Sequence, residues 1–289
     1  MRRTVSPPRE WIQRLARLPW LTVMVACTPV GESATAQVAA VRAAPEAPPA
    51  PPSAPPPTGL VELAIADLEP SHRRPSGAPA AVAYLPPDFD RSAPYTLVVF
   101  LHGWRGCARQ LMYPGEIGCT DGDAPRAGSA LGETLGGDQR VVLTPQLAFR
   151  RRTGAPGRFR AGPYVESFLR CALEELELAP PAKLALMAHS AGYETALRWI
   201  GSRLSIDAVL LMDALYGGTP RFADWVMSDD TRRLVSLTTG GSTGVQQRRL
   251  RQRLRQSNAR ERVLAERSSA RHADVPAVDG ARVLAWALR

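Results

Sequence analysis

A short apolar segment that ends in a small-residue turn constrains the fold of this chain more than any other feature. The run Leu184–Ala188 is typical of a strand that is buried on both faces of a parallel sheet. It is followed by the turn His-Ser-Ala-Gly at 189–192 and by a helix-like stretch over 193–204. Small residues let the chain reverse sharply, and such a turn lifts the Ser190 hydroxyl above the edge of the sheet. The segment therefore predicts a serine placed to act as a nucleophile.

A serine becomes a good nucleophile only beside a general base, and histidine is the usual one. The chain contains four histidines, His72, His102, His189 and His272. His72 precedes the predicted sheet, and His102 ends a strand. The side chain of His189 is expected to point away from Ser190. Elimination leaves His272 as the predicted base, although a single histidine in a polar loop is more often a surface residue.

The acid that orients the histidine is predicted at Asp213. This residue directly follows the apolar run Ala208–Met212, which predicts another buried strand. The carboxyl ends of parallel strands form the edge where ligands bind in α/β sheets, and a carboxylate there can orient an imidazole. An alternative role for Asp213 is to cap the next helix. Asp274 is the second candidate acid, but it lies very close to His272 in sequence.

Apolar runs alternate with helix-like stretches along most of the chain. The predicted strands are Val82–Tyr84, Tyr95–Leu101, Val141–Pro145, Leu184–Ala188, Ala208–Met212, Leu234–Thr238 and Val263–Glu266. The predicted helices are Tyr164–Leu178, Tyr193–Leu204, Phe222–Val226, Val245–Gln256 and Val278–Leu288. This alternation predicts an α/β fold with a mostly parallel central sheet and helices on both faces. Only residues 221–230 are available for a cap after the strand that precedes Asp213, so a large cap is not expected.

The order Ser190, Asp213, His272 and the segment Leu-Val-Val-Phe-Leu-His-Gly-Trp at 97–104 resemble the α/β-hydrolase superfamily. The resemblance covers residues 60–289. It implies the α/β-hydrolase fold with minimal or no cap domain. It also implies a serine hydrolase that works without a cofactor.

The same resemblance assigns roles to further residues. In this superfamily, the loop after His-Gly and the residue after the nucleophile each supply a backbone N–H to the oxyanion hole, which implies Trp104 and Ala191 here. Many members carry the acid one strand later than Asp213, but the loop at 240–244 contains no carboxylate. Other members place the acid where Asp213 stands, and this favours Asp213.

These residues predict a carboxylesterase-like enzyme that cleaves a carboxylic ester through an acyl-enzyme. The expected substrates are small or polymeric acyl compounds. One alternative is a serine peptidase or amidase that acts on peptide or cell-wall material. Another is a non-catalytic envelope protein that binds an anionic polymer. No cysteine and histidine cluster has metal-ligand spacing and no nucleic-acid motif is evident, so neither a metal nor nucleic acid is expected. The oligomeric state stays open.

The first 27 residues have the pattern of an export signal. An arginine-rich start precedes the apolar run Leu18–Ala26, which is too short to span a membrane. Small residues before Cys27 resemble a bacterial lipoprotein processing site. The Ala- and Pro-rich stretch 28–59 predicts a disordered, semi-rigid spacer before a folded domain over 60–289. The expected location is the cell envelope, periplasmic or held at the outer membrane by a lipid on Cys27. Export without a lipid, or a cytosolic protein with an unusual leader, are the alternatives.

Two of the remaining cysteines predict a disulfide. Cys107 and Cys119 both lie in the loop after the His-Gly strand, and they can pair locally in an oxidising compartment. Cys171 lies in a predicted helix and is expected to be a buried thiol, although it is also a competing partner.

The formal net charge of the chain is +9, which is carried almost entirely by arginine. One cluster, Arg150, Arg151 and Arg152, follows the predicted strand Val141–Pro145 on the side of the proposed site. It predicts either a loop that attracts an anionic substrate or a solvated surface loop.

Overall fold

A computed structural model describes residues 58–65, 77–149, 152 and 156–289. The predicted export signal, Cys27 and nearly all of the Ala- and Pro-rich spacer lie outside these ranges. None of the helices within them is long and apolar enough to cross a membrane.

Eight strands form one mostly parallel sheet, and two further strands form a small hairpin. The strands are β1 (Gly59–Leu63), β2 (Ala81–Leu85), β3 (Thr96–Leu101), β4 (Glu116–Ile117), β5 (Arg126–Ala127), β6 (Arg140–Pro145), β7 (Lys183–His189), β8 (Ala208–Met212), β9 (Arg233–Thr238) and β10 (Val263–Arg267). The order in the large sheet is β1-β2-β6-β3-β7-β8-β9-β10. The β1–β2 and β2–β6 pairs are antiparallel and the other pairs are parallel. This confirms the predicted α/β-hydrolase fold.

The central strands are apolar on both faces because the sheet is covered on both sides. In β3, the side chains of Leu97, Val99 and Leu101 pack into one apolar cluster. Those of Val98 and Phe100 pack into a second cluster on the opposite face. Alternate residues of a strand point to opposite faces, so an unbroken apolar run is what a strand between two helix layers requires.

Seven helices supply the two covering layers. They are α1 (Ala108–Met112), α2 (Leu131–Leu135), α3 (Gly162–Glu175), α4 (Tyr193–Trp199), α5 (Thr219–Met227), α6 (Gly241–Leu254) and α7 (Val275–Ala287). One layer consists of α3 to α6 and contributes Phe168, Trp199 and Phe222 to the core. The other consists of α1, α2 and α7 and contributes Met112 and Leu135. Between β8 and β9 the chain forms only α5, so no cap domain is inserted there.

Three features differ from the sequence expectation. The helix predicted over Tyr193–Leu204 ends at Trp199, where the hydroxyl of Ser202 donates to the Trp199 carbonyl over 2.7 Å and competes with the next helical N–H. The strand β1 and the hairpin β4–β5 were not expected. The short helices α1 and α2 also lie between two predicted strands, Tyr95–Leu101 and Val141–Pro145, where no helix is predicted.

Candidate active site

The strand β7 ends in the sharp turn that the sequence predicts. The backbone of Ser190 has φ +54°, a left-handed conformation that is uncommon for a residue with a side chain. The turn leads directly into α4. Gly192 permits this close reversal, because a Cβ atom there would lie 2.2 Å from the Leu101 carbonyl oxygen in β3. The turn therefore places Ser190 at the carboxyl end of the parallel strands.

The structure brings Ser190, His272 and Asp213 into one hydrogen-bonded chain. The Ser190 hydroxyl donates to Nε2 of His272 over 3.0 Å. Nδ1 of the same imidazole donates to Oδ2 of Asp213 over 2.6 Å. The three residues come from the turn after β7, the end of β8 and the turn before α7. Both bonds together require the tautomer with the proton on Nδ1, which leaves Nε2 free to accept a proton from serine.

Asp213 is held as an anion although its side chain is only 3% exposed. Burial alone works to raise the pKa of this carboxyl. Hydrogen bonds from His272, Thr239 and Thr243 outweigh burial and hold the pKa well below its usual range. The two threonine hydroxyls donate to the carboxylate over 2.6 and 2.5 Å, and the Thr239 N–H donates over 3.1 Å. The carboxylate is therefore charged and fixed in orientation beside the imidazole.

The two threonines are functional neighbours that the sequence analysis missed. Thr239 directly follows β9, and Thr243 lies in the first turn of α6. This is where many α/β-hydrolases carry the acid, and a loop without a carboxylate gives no sign of that role. The available signal was the presence of hydroxyl groups at that strand end, because they can donate to an acid on the neighbouring strand.

Trp104 and Ala191, which the resemblance assigns to the oxyanion hole, both adjoin Ser190. Ala191 follows it in the chain. Trp104 follows Gly103, where a Cβ atom would lie 2.6 Å from Cβ and 3.2 Å from Oγ of Ser190. The structure gives neither backbone N–H an acceptor within the described residues. Both donors are therefore available to a ligand at the serine.

His102 fixes the loop that carries Gly103. Its imidazole is buried, with Nδ1 donating to the Gly103 carbonyl over 2.9 Å and Nε2 accepting the Leu147 N–H over 3.0 Å. Burial lowers the pKa of His102 to about 4, so the ring is neutral near pH 7 and Nε2 can accept. A Cβ atom at Gly106 would lie 2.1 Å from Nδ1, so the loop needs a glycine there. The His102 ring thus ties the loop after β3 to the end of β6.

A disulfide joins Cys107 to Cys119, which is the pairing expected from the sequence. Among the described residues, Cys171 is buried and forms no disulfide. Within the closed segment, the guanidinium of Arg109 donates to both carboxylate oxygens of Glu62 over 2.6 Å. The disulfide and this bidentate ion pair hold the segment that follows the His-Gly loop against the edge of the sheet.

Aromatic side chains border the serine hydroxyl. Tyr216 is 39% exposed, and its ring lies edge-on to His272 with 6.5 Å between centroids. Burial raises the pKa of its phenol, and the neighbouring Ser190 side chain works in the opposite direction. Tyr193 lies 6.2 Å from Tyr216, and Trp104 is 58% exposed. Through Tyr216, an aromatic surface adjoins His272.

The other predicted residues lie outside this arrangement or outside the described ranges. Of the arginine run 150–152, only Arg152 is described, at an exposed bend, so the anionic-substrate loop stays a prediction. Asp274, the second candidate acid, forms an exposed ion pair with Arg271 over 2.9 Å. The imidazole of His272 is bonded to Asp213 instead.

A groove of about 1000 Å³ lies between α6 and β10. Its lining includes Arg248, Arg251, Arg255, Arg260 and Glu266. It contains none of the three residues of the hydrogen-bonded chain, so it is separate from the chemistry described above. Within the described ranges, no group of three histidine, cysteine or acidic side chains could hold a metal ion.

Solved structures of hydrolases are similar to this fold at low sequence identity. A thermostable esterase is 15% identical with a TM-score of 0.44, over 72% of this chain and 58% of that chain. An uncharacterized protein from Bacillus cereus ATCC 10987 is 11% identical with a TM-score of 0.46, over 69% and 60%. The siderophore hydrolase EstB from Aspergillus nidulans is 13% identical with a TM-score of 0.47, over 71% and 87%.

The chain spans less than two thirds of the length of the first two of these proteins. No protein-family model matches it, and no curated protein does. The fold class therefore rests on the order and direction of the strands, and the chemistry of the site on its own contacts.

Proposed function

We propose that this protein is a serine hydrolase that cleaves carboxylic esters. The observation that carries the proposal is the continuous hydrogen-bonded chain from Ser190 through His272 to Asp213. Such a chain makes a serine nucleophilic, because the imidazole takes the hydroxyl proton as oxygen bonds to the carbonyl carbon. The low pKa of Asp213 supports this role, since an anion beside the ring stabilises the imidazolium that forms.

The proposed reaction proceeds in two halves. Oγ of Ser190 attacks the ester carbonyl and its proton passes to Nε2 of His272, while the N–H groups of Trp104 and Ala191 bind the developing oxyanion. The histidine then protonates the departing alkoxide, which leaves an acyl-enzyme and an alcohol. In the second half, His272 takes a proton from water and the hydroxide attacks the acyl carbon. The bond between the acyl carbon and Oγ then breaks, His272 returns the proton to Oγ of Ser190, and the carboxylic acid is released.

Labelling with a fluorophosphonate probe tests the nucleophile. The wild-type protein is expected to label, Ser190→Ala to lose all labelling, and Asp213→Asn to react more slowly by about 10⁴-fold. Ser257→Ala is the matched control, because Ser257 follows α6, is not part of the hydrogen-bonded chain, and its hydroxyl donates to the Leu254 carbonyl. Absence of labelling in folded wild-type protein would refute the proposal and favour the non-catalytic binding protein.

An ester and an anilide with the same acyl group test the bond that is cleaved. The ester is expected to be hydrolysed with the larger kcat/KM in a Ser190-dependent manner. Comparable kcat/KM values for the anilide would replace the ester hydrolase with a peptidase or amidase.

A further inference from the structure

The residue that precedes Ser190 makes a second contact to the proposed base. His189 is the last residue of β7, and its Nε2–H donates to the backbone carbonyl of His272 over 2.9 Å. The two imidazole rings lie 4.7 Å apart between centroids and are tilted by 35°. The sequence predicts no role for His189, since its side chain is expected to point away from Ser190.

We propose that His189 is a positioning residue that holds the imidazole of His272 in line with Ser190. It does so through the hydrogen bond to the His272 carbonyl and through contact between the rings. This inference rests on the proposed function, and it adds a residue that neither bonds to the substrate nor exchanges a proton with it.

The segment that carries the base has few other ties to the sheet. Ala270 donates to the Ser268 hydroxyl, and Arg271 pairs with Asp274, so both contacts stay within the segment or next to it. Within the described residues, the bonds that link 270–274 to the central strands are those of His272 itself. Without a backbone anchor, rotation of this turn would swing the ring away from the serine.

The two anchors of His272 are set by the sheet. His189 pairs in register with Met212 across the β7–β8 ladder, and Asp213 is the next residue after Met212. The backbone of His272 is thus fixed to the end of one strand, and its Nδ1 to the end of the neighbouring strand. Because the strand spacing is constant, the ring has little freedom other than rotation about its own side-chain bonds.

The chemistry of His189 suits an anchor. Burial lowers its pKa to about 4, and the nearby His272 adds to this effect, so the ring is neutral near pH 7. A neutral ring with its proton on Nε2 donates one hydrogen bond and adds no charge. A cation at this place would oppose the imidazolium that forms on His272 in the first step.

Three variants separate the hydrogen bond from the ring. In His189→Gln, the side-chain amide nitrogen can occupy the position of Nε2 and donate to the same carbonyl. His189→Asn has the same group on a shorter side chain and cannot reach, and His189→Phe keeps the ring without a donor. We expect kcat for ester hydrolysis to fall about tenfold to a hundredfold in the Phe and Asn variants, with KM changed less than about twofold. The Gln variant is expected to recover most of kcat.

Wild-type labelling at Ser190 is measured first, since it tests the proposed function alone. If the wild type labels and all three variants keep the wild-type kcat, the inference fails while the function stands. If the Phe variant does not fold, the Gln and Asn pair decides, and equal kcat values for these two would overturn the hydrogen-bond role.

If the wild type does not label, proton NMR tests the positioning role of His189 without a measurement of activity. The Nδ1 proton that His272 donates to Asp213 is expected as a downfield resonance that Asp213→Asn removes. We expect this resonance in the wild type and in His189→Gln. We expect it to be lost by broadening in His189→Asn, and this pattern would support the positioning role. An unchanged resonance in the Asn variant would contradict it.

Discussion

Four hydrogen bonds converge on the carboxylate of Asp213, from His272, Thr243 and both the hydroxyl and N–H of Thr239. Its backbone has φ +46°, and that of Ser190 has φ +54°. Strained left-handed residues persist only where surrounding contacts determine them, and they concentrate at functional sites. These two strained residues lie at the carboxyl ends of the adjacent strands β7 and β8. They are also the first and last members of the proposed chain from Ser190 through His272 to Asp213.

Replacing Thr243 with the isosteric valine tests how the charge on Asp213 is maintained. The bond from Thr243 helps to lower the pKa of Asp213, so it stabilises the fold where the carboxylate is ionised. We expect Thr243→Val to lower the free energy of unfolding by about 2 kcal/mol at pH 7. A group with a lowered pKa contributes above its unfolded value near 3.9 and loses this as pH falls. Both proteins share the same unfolded carboxyl, so the difference between them persists until pH falls through the folded pKa of Asp213. It should therefore be smaller at pH 2 than at pH 7.

Urea unfolding of both proteins at pH 7 and pH 2 measures this effect. An equal difference at the two pH values would show that the loss comes from packing and not from the charge on Asp213.

At the scale of single residues, the sequence predicts those whose chemistry is local or scarce. Ser190 follows from its turn, and His272 from elimination among four histidines. The sequence does not predict Thr239, Thr243 or His189, because their roles arise from contacts between segments that are distant in the chain. A threonine after a strand has no signal of its own until the acid on the adjacent strand is known.

The element that most tightly limits the site is the loop after β3, where Gly103 touches Ser190. A side chain at 103 has no room, because its Cβ would lie 2.6 Å from the Ser190 Cβ. The Trp104 N–H must then move together with the loop. We expect Gly103→Ala to lower kcat/KM by about 10² to 10³-fold, as loss of one oxyanion donor does.

The matched control is Gly122→Ala. Gly122 lies in the same segment between β3 and β6, is exposed, and has nothing within 4 Å of an added Cβ. It should retain wild-type hydrolysis. Equal activity of the two variants would show that the loop after β3 does not contribute a donor.

At the scale of elements, the predicted strands of the parallel region agree with the structure within two residues. Unbroken apolar runs such as Ala208–Met212 have few alternatives when turn residues flank them. The strand β1 was missed because it lies at an antiparallel edge, is mostly half-buried, and lacks an unbroken apolar run. The strands β4 and β5 have only two residues each, which is too short to leave a pattern.

For the whole molecule, buried neutral histidines predict a loss of stability in mild acid. His102 is only 3% exposed, and burial lowers its pKa from 6.5 to about 4. The unfolded chain therefore binds a proton between these values that the folded protein does not. We expect the free energy of unfolding to fall by about 1.4 kcal/mol per pH unit for this group as pH drops from 6.5 to 4.

Thermal or urea unfolding across this pH range checks the slope, and His102→Gln should reduce it by the contribution of one group. A stability that is constant between pH 6.5 and 4 would contradict the prediction. His189 is expected to add to the slope of the wild type, since its pKa is also lowered to about 4.

The predicted lipid on Cys27 is testable in the full chain. Expression in a bacterium with an alkyne-labelled fatty acid is expected to label the wild-type protein and not Cys27→Ser. Cys171→Ser is the control, because Cys171 is buried in the folded domain and forms no disulfide among the described residues. Equal labelling of the Cys27 variant and the wild type would leave export without a lipid, or a cytosolic location, as the explanation.

The contact between Thr239 and Asp213 has a consequence for how such sites evolve. Oγ1 of Thr239 lies 2.6 Å from the same carboxylate oxygen that accepts the His272 proton. An acid at position 239, at the end of the strand next to β8, would therefore lie beside His272. During evolution a protein could carry both acids for a time and later lose either one. We expect Asp213→Asn combined with Thr239→Asp to hydrolyse esters about tenfold faster than Asp213→Asn alone. A rate no higher than that of Asp213→Asn alone would show that an acid at position 239 cannot replace Asp213.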